Sequence, residues 1–334
     1  MKTLRVMLGM MMAISAAMPV QAASVTPYGG MLEEFSYDYP VNRFDFKSQR
    51  EKLSMAYLDV APAEKANGKV VVLLHGKNFC AGTWEQTIHT LSRSGYRVIA
   101  PDQIGFCKST KPPRYQFSFN QLAQNTNALL AYLKIEKAII IGHSMGGMLG
   151  MRYAINYPQH TEQLVLVNPI GLEDWQAKGV PYASIDTLYE AERKTDFDSI
   201  KAYQQRMYFD GSWKPEYDRW VGMLAGMYAG NDKKDVAWNQ AQASDMIFTQ
   251  PVIHEVSRIA APTLFIVGGK DRTAPGSNRA TPALAAKLGD YPVLAKEASK
   301  EIGNATLVLF PDLGHSPQIE APDRFHEKLL KGLK

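Results

Sequence analysis

Residues 137–158 read KAIIIGHSMGGMLGMRYAINYP. Ala138–Ile141 is a short apolar run rich in β-branched side chains, the composition of a buried strand. Met148–Ala154 is apolar at helical spacing and is stopped by Pro158. Between them stands Gly142-His143-Ser144-Met145-Gly146, a G-x-S-x-G. A strand that turns straight into a helix leaves almost no room for side chains at the flanking positions. Glycine supplies that room at both ends, and the serine is forced into a strained, exposed conformation. The helix start then points its free amides at the same place. A β-branched run directly before the pattern and a helix directly after it separate this reading from an ordinary glycine-rich turn. Ser144 is thus the candidate nucleophile.

Working outward, Val70–Leu74 is another fully apolar run, followed by His75-Gly76-Lys77-Asn78. A helix is predicted over Thr83–Ser94, a strand over Tyr96–Pro101, a helix over Phe119–Leu133 and a strand over Gln163–Val167. Two further strands are predicted near Asn42–Phe46 and Leu53–Val60, behind a lead-in (Ser24–Tyr39) without period. Strands alternating with helices predict an α/β chain with a mostly parallel, doubly wound sheet. From Leu172 to about Ile259 the alternation lapses into helices carrying four of the five tryptophans. It resumes at Thr263–Val267 and Ala305–Phe310, and a last helix runs from Pro322 to Leu333. The organisation read from this is a first core part (23–171), a helical insertion (172–259) and a second core part (260–334).

Residues 1–22 are different. Lys2 and Arg5 precede an apolar run, and Val20-Gln21-Ala22 places small residues at the −3 and −1 positions of a cleavage site. This predicts a signal peptide over 1–22, an exported protein with the periplasm as its setting, and no stable membrane insertion after cleavage. With 46% hydrophobic and 21% charged residues the chain has the composition of a globular protein, and a formal charge of +4 gives no basis for nucleic-acid binding.

A serine hydroxyl needs a base, and the base an orienting acid. Such groups belong at the C-terminal ends of parallel strands. His315 follows the last strand in Asp312-Leu313-Gly314-His315-Ser316, and is the candidate base. Asp271, the acid of Gly268-Gly269-Lys270-Asp271, is favoured over Glu173 and Asp174 because its strand should lie beside that of His315. An oxyanion hole needs two amides. Met145 supplies one; Lys77 or Asn78 supplies the other, with Lys77 preferred and its side chain expected in solvent. No Cys/His cluster has metal-ligand spacing, and the chemistry requires no cofactor.

The H-G-x at 75–77, G-x-S-x-G at 142–146, G-x-x-D at 268–271 and G-H at 314–315, in the order Ser, Asp, His, resemble the α/β-hydrolase superfamily over about residues 40–334. The resemblance implies a triad of Ser144, Asp271 and His315 under a helical cap formed by 172–259. Serine at the elbow, where related dehalogenases and epoxide hydrolases carry aspartate, argues against alkyl-enzyme chemistry. The loop also lacks the glycine runs of many lipases and of proline iminopeptidases. What remains are small-ester carboxylesterases, lactonases, thioesterases, acyltransferases and C–C bond hydrolases, with a carboxylesterase-like hydrolase of small acyl substrates working through an acyl-enzyme as the leading expectation. An acyltransferase, a C–C bond hydrolase and a non-catalytic ligand-binding homologue are the alternatives. The family's usual D-x-x-G-x-G-x-S stands here as Asp102, Gly105, Cys107 and Ser109. Cys80, the only other cysteine, follows the oxyanion loop, and a Cys80–Cys107 disulfide is expected in an oxidising compartment. The substrate and the oligomeric state have no signature in the sequence.

Overall fold

The computed structural model describes residues 25–334, so the signal-peptide expectation lies outside the described residues. Eight strands form one sheet: β1 (Val41–Ser48), β2 (Glu51–Val60), β3 (Val70–Leu74), β4 (Arg97–Pro101), β5 (Ala138–His143), β6 (Thr161–Val167), β7 (Thr263–Gly268) and β8 (Ala305–Phe310). Their order is β1-β2-β4-β3-β5-β6-β7-β8. β1 and β2 form a hairpin turned at Gln49 and Arg50, both left-handed with φ of 50° and 67°. β2 meets β4 antiparallel, and every later pairing is parallel. The central strands β3, β5, β6 and β7 are almost wholly buried. A parallel sheet covered on both faces demands such continuous apolar runs.

Helix α1 (Glu85–Arg93) and the C-terminal helix Pro322–Gly332 cover one face. Helices α2 (Phe119–Tyr132) and α3 (Met145–Asn156) cover the other. Between β6 and β7 the chain leaves the sheet to form α4 (Ile185–Glu192), α5 (Phe197–Met207), α6 (Asp218–Ala229) and α7 (Lys233–Thr249). Two of their starts are capped by side chains at their own boundaries: Ser184 accepts from the Thr187 amide, and Asp196 forms a capping box with Ser199. The insertion packs on the α2–α3 side and over the C-terminal ends of the strands.

Among its described residues the lead-in has no helix or strand, yet it is bound at both ends. The Tyr28 amide donates to Gly226 O at 2.8 Å, Leu32 is fully buried, and Tyr37 OH donates to Asp102 Oδ2 at 2.8 Å. It therefore joins α6 to the core. Among the described residues no helix is long and apolar enough to cross a membrane.

Candidate active site

At the end of β5, Ser144 sits at φ 57°, ψ −119°, a conformation a non-glycine residue tolerates only under local compulsion. The compulsion is steric. A Cβ on Gly146 would lie 2.1 Å from the carbonyl oxygen of Leu74, and one on Gly142 would lie 2.1 Å from that of Gly146. Neither position can take a side chain, and the turn between them cannot relax. Ser144 is 5% exposed at the N-terminus of α3.

His315 and Asp271 reach this point from the ends of β8 and β7, which are neighbours in the sheet. His315 Nδ1 donates to Asp271 Oδ2 at 2.7 Å, and both side chains are fully buried. Asp271 Oδ1 accepts from the Thr273 amide at 2.8 Å. His315 Nε2 is buried without a partner among the described residues, so it makes no hydrogen bond to Ser144. A buried imidazole nitrogen left empty is available to take a proton, and such bonds commonly tighten only when substrate is bound.

The rivals for the acid are engaged elsewhere. Glu173 accepts from Trp175 Nε1 at 3.0 Å, the Gly289 amide at 2.8 Å and Lys178 Nζ at 2.5 Å. Asp174 pairs with His254 at 2.8 Å. Neither contacts His315.

The amides of Lys77, Asn78 and Met145 make no hydrogen bond among the described residues, while that of Phe79 is taken by Gly76 O at 3.1 Å. Lys77, Asn78 and Ser144 line one cavity of about 360 Å³. Much of its wall is apolar, including Ile170, Ile200, Leu224, Met227, Ile247 and Phe248. The Lys77 side chain departs from expectation. It lies not in solvent but across the cavity, with Nζ 2.7 Å from Glu192 Oε1. The cap supplies a carboxylate that no local pattern around Lys77 discloses.

Two other histidines hold the scaffold. His75 Nε2 accepts from the Gln103 amide at 3.0 Å, which leaves its proton on Nδ1 to donate to Gly76 O at 2.8 Å. Burial lowers its pKa and keeps it neutral. His143 Nε2 donates to His315 O at 2.8 Å, tying the elbow to the loop that carries His315. Burial first, and the nearby His315 second, hold His143 well below the ordinary imidazole value. Glu320 accepts from the Gly314 amide through both oxygens, at 2.9 and 3.1 Å, and fixes the other side of that loop.

Cys80 and Cys107 form a disulfide with a Cα–Cα separation of 5.8 Å, linking the loops after β3 and β4. With Asp102 they bring three potential metal-ligand atoms within 4.8 Å, but the disulfide uses both sulfurs and leaves no thiolate for an ion.

An elbow serine, a histidine–carboxylate pair at adjacent strand ends and free amides beside them make one arrangement. A sequence-family model for the alpha/beta hydrolase fold matches residues 69–322. The chain belongs to the alpha/beta hydrolase fold family. It is an α/β-fold hydrolase. A solved structure of a probable hydrolytic enzyme from Pseudomonas aeruginosa PAO1 is 58% identical, with a TM-score of 0.92, over 93% of this chain and 99% of that one. Among curated relatives, a 2-hydroxy-6-oxononadienedioate/2-hydroxy-6-oxononatrienedioate hydrolase of Paraburkholderia xenovorans (strain LB400) is 33% identical over 271 residues, 78% of this chain and 86% of the relative. One of the same name from Comamonas testosteroni is 27% identical over 280 residues, 80% and 88% of the two chains.

Within this hydrolase several contributing residues escape a reading of motifs. Asn168, at the end of β6, donates through Nδ2 to Asp271 Oδ2 at 2.8 Å and accepts the Gly268 amide on Oδ1 at 3.1 Å. Its φ of 40° is the left-handed conformation asparagine tolerates better than most residues. Tyr208, following α5, lays its ring over His315 with centroids 4.6 Å apart, and its carbonyl accepts the His315 amide at 2.8 Å. Burial raises its pKa well above the usual phenol range, so it stays a neutral lid on the imidazole. The strand-end position of Asn168 was a usable signal; nothing local marks Tyr208.

Proposed function

We propose that this protein is an exported serine hydrolase that cleaves a small ester-type acyl substrate through a covalent acyl-enzyme. His315 takes the proton of Ser144 as its oxygen attacks the carbonyl carbon. Asp271 holds the Nδ1–H tautomer and stabilises the imidazolium. The amides of Met145 and Lys77 bind the developing oxyanion. The imidazolium returns its proton to the departing alcohol, and His315 then activates the water that releases the acid. The observation that carries this reading is the buried His315–Asp271 pair with Nε2 left empty, beside a serine strained onto the cavity wall.

The apolar cavity of about 360 Å³ fits a small acyl chain. The disulfide supports export, since such bonds persist in oxidising compartments. A second reading is C–C bond hydrolysis on the same triad, favoured by the two relatives named as 2-hydroxy-6-oxononadienedioate/2-hydroxy-6-oxononatrienedioate hydrolases.

The test is hydrolysis of p-nitrophenyl esters of graded chain length by the mature protein, beside Ser144→Ala. Ester turnover that falls at least about 10⁴-fold in the variant supports the serine mechanism. Equal rates in both proteins rule it out. Labelling by a fluorophosphonate, lost in Ser144→Ala, separates either enzyme reading from a silent binding protein. Recovery of the protein in the periplasmic fraction, with its N-terminus at Ala23, tests export.

A further inference from the structure

The cavity that Ser144 lines also contains a charged cluster in apolar surroundings. Glu192, the last residue of α4, accepts Lys77 Nζ on Oε1 at 2.7 Å and Tyr228 OH on Oε2 at 2.6 Å, with Ser244 Oγ at 3.5 Å from Oε1. The Lys77 and Glu192 side chains are only 19% and 15% exposed. Leu188, Ala191, Leu224 and Met227 line the same cavity beside them. An ion pair drawn largely out of water seldom stabilises a fold more than apolar residues of equal volume would, so stability is a poor account of this partly buried one. Tyr228 stays a phenol, its pKa raised by burial and then by Glu192, and goes on donating to the carboxylate.

The donor and acceptor count defines what would fit. An ammonium carries three N–H donors and here gives one to Glu192. A carboxylate offers about four acceptor sites, of which the three contacts above use most but not all. An alkyl chain laid against the pair would desolvate the ammonium without replacing its water. A carboxylate would meet the like charge of Glu192. A hydroxyl satisfies both partners, accepting from Lys77 and donating to Glu192. Lys77 also belongs to the oxyanion loop, so this reading point is fixed relative to the reacting carbonyl.

We propose that Lys77 and Glu192, supported by Tyr228, form a subsite that reads a hydroxyl on the acyl chain, making hydroxyacyl esters the preferred substrate class. The subsite rests on the serine-hydrolase reading above. Its test compares p-nitrophenyl hexanoate, 3-hydroxyhexanoate, 6-hydroxyhexanoate and the monoester of adipate. In the wild-type protein one hydroxy ester should exceed hexanoate about tenfold in kcat/KM, the worth of one hydrogen bond to a charged group, with adipate no better than hexanoate. Glu192→Gln and Lys77→Met should each bring that ratio close to one.

No hydroxy preference in the wild type, a ratio retained in both variants, or an equal fall on all four esters in Glu192→Gln overturns the subsite while leaving the serine mechanism standing. A preference for the adipate monoester overturns it in favour of an anion clamp. If no ester turns over, the hydrolytic reading fails by itself. Calorimetric binding of the same esters to Ser144→Ala then tests the subsite: tighter binding of a hydroxy ester supports it, and equal affinities overturn it.

Discussion

Asn168 shows how much of the site's precision comes from a residue with no catalytic signature. Asp271 Oδ2 receives two donors, His315 Nδ1 and Asn168 Nδ2, and Oδ1 receives the Thr273 amide. With three donors the carboxylate cannot rotate, so the imidazole it holds cannot either. On the triad reading proposed above, Asn168 is a positioning residue. Asn168→Ala should lower kcat for a p-nitrophenyl ester about tenfold or more, the value of one hydrogen bond to a charged group, with KM little changed. A change in KM alone would instead assign Asn168 to substrate binding. The same substitution leaves the buried Gly268 amide unpaired and should cost about 1–3 kcal/mol in denaturant unfolding. The strand-end placement of Ser144, His315 and Asp271 was legible in the sequence because each follows a recognisable strand within a short pattern. Asn168 shares that strand-end position but was not singled out, because no short pattern marks an asparagine as the partner of an acid 103 residues away. Lys77 was misread for the same reason: a loop lysine looks solvated until a carboxylate 115 residues away is brought to it.

At the scale of elements, the strands and the core helices were readable and the cap contacts were not. A buried parallel strand must be continuously apolar, so its run of side chains declares it. The cap helices are rich in aromatic residues on several faces, and their pattern cannot say which ring packs inward and which meets the active site. Tyr208 over His315 is such a case. Two predictions belong here. The disulfide between the β3 and β4 loops spans 27 residues, and breaking it by Cys80→Ser with Cys107→Ser should cost about 3.5 kcal/mol by the loop-entropy argument. Because Cys80 follows the Lys77–Asn78 loop proposed to bind the oxyanion, kcat should fall as well; an unchanged kcat would show that the loop is held without the bond. The second concerns α1 and the C-terminal helix, joined where His326 Nε2 meets Thr87 Oγ1 at 3.0 Å. Burial lowers the His326 pKa to about 4. Between about pH 6.5 and 4 the unfolded chain therefore binds a proton that the folded chain refuses. Stability from this group is fully present above pH 6.5 and declines as pH falls towards 4, by up to about 3 kcal/mol. His326→Gln should flatten that limb of the midpoint-versus-pH curve, whereas an unaltered limb would assign the acid sensitivity to other groups.

At the scale of the whole molecule, the lead-in clasps cap to core, although its sequence has neither period nor motif. Its contacts are spread over both parts. The Gly30 amide donates to Asp232 Oδ2 at 2.9 Å beside the start of α7, and the Tyr28 amide donates to Gly226 O within α6. Tyr37 reaches Asp102, whose other oxygen accepts the Ala81 amide at 2.7 Å next to the disulfide. Leu32 is the centre of this clasp: its side chain is fully buried in the larger core cluster, and its carbonyl accepts Lys108 Nζ at 2.5 Å. Leu32→Ala should therefore behave as a core truncation, lowering unfolding free energy by about 2–5 kcal/mol, although no secondary structure surrounds it. Because the carbonyl stays in place, the loss reads packing and not the lysine contact. The clasp also predicts where the damage appears. Hydrogen exchange in the variant should rise in the lead-in and in α6 and α7 more than in β5 or β6, since the central strands are buried independently of it. A wild-type midpoint with unchanged exchange would mean that the cap is held by its own contacts with the α2–α3 side. A uniform rise across the sheet would mean that Leu32 is simply part of one cooperative core.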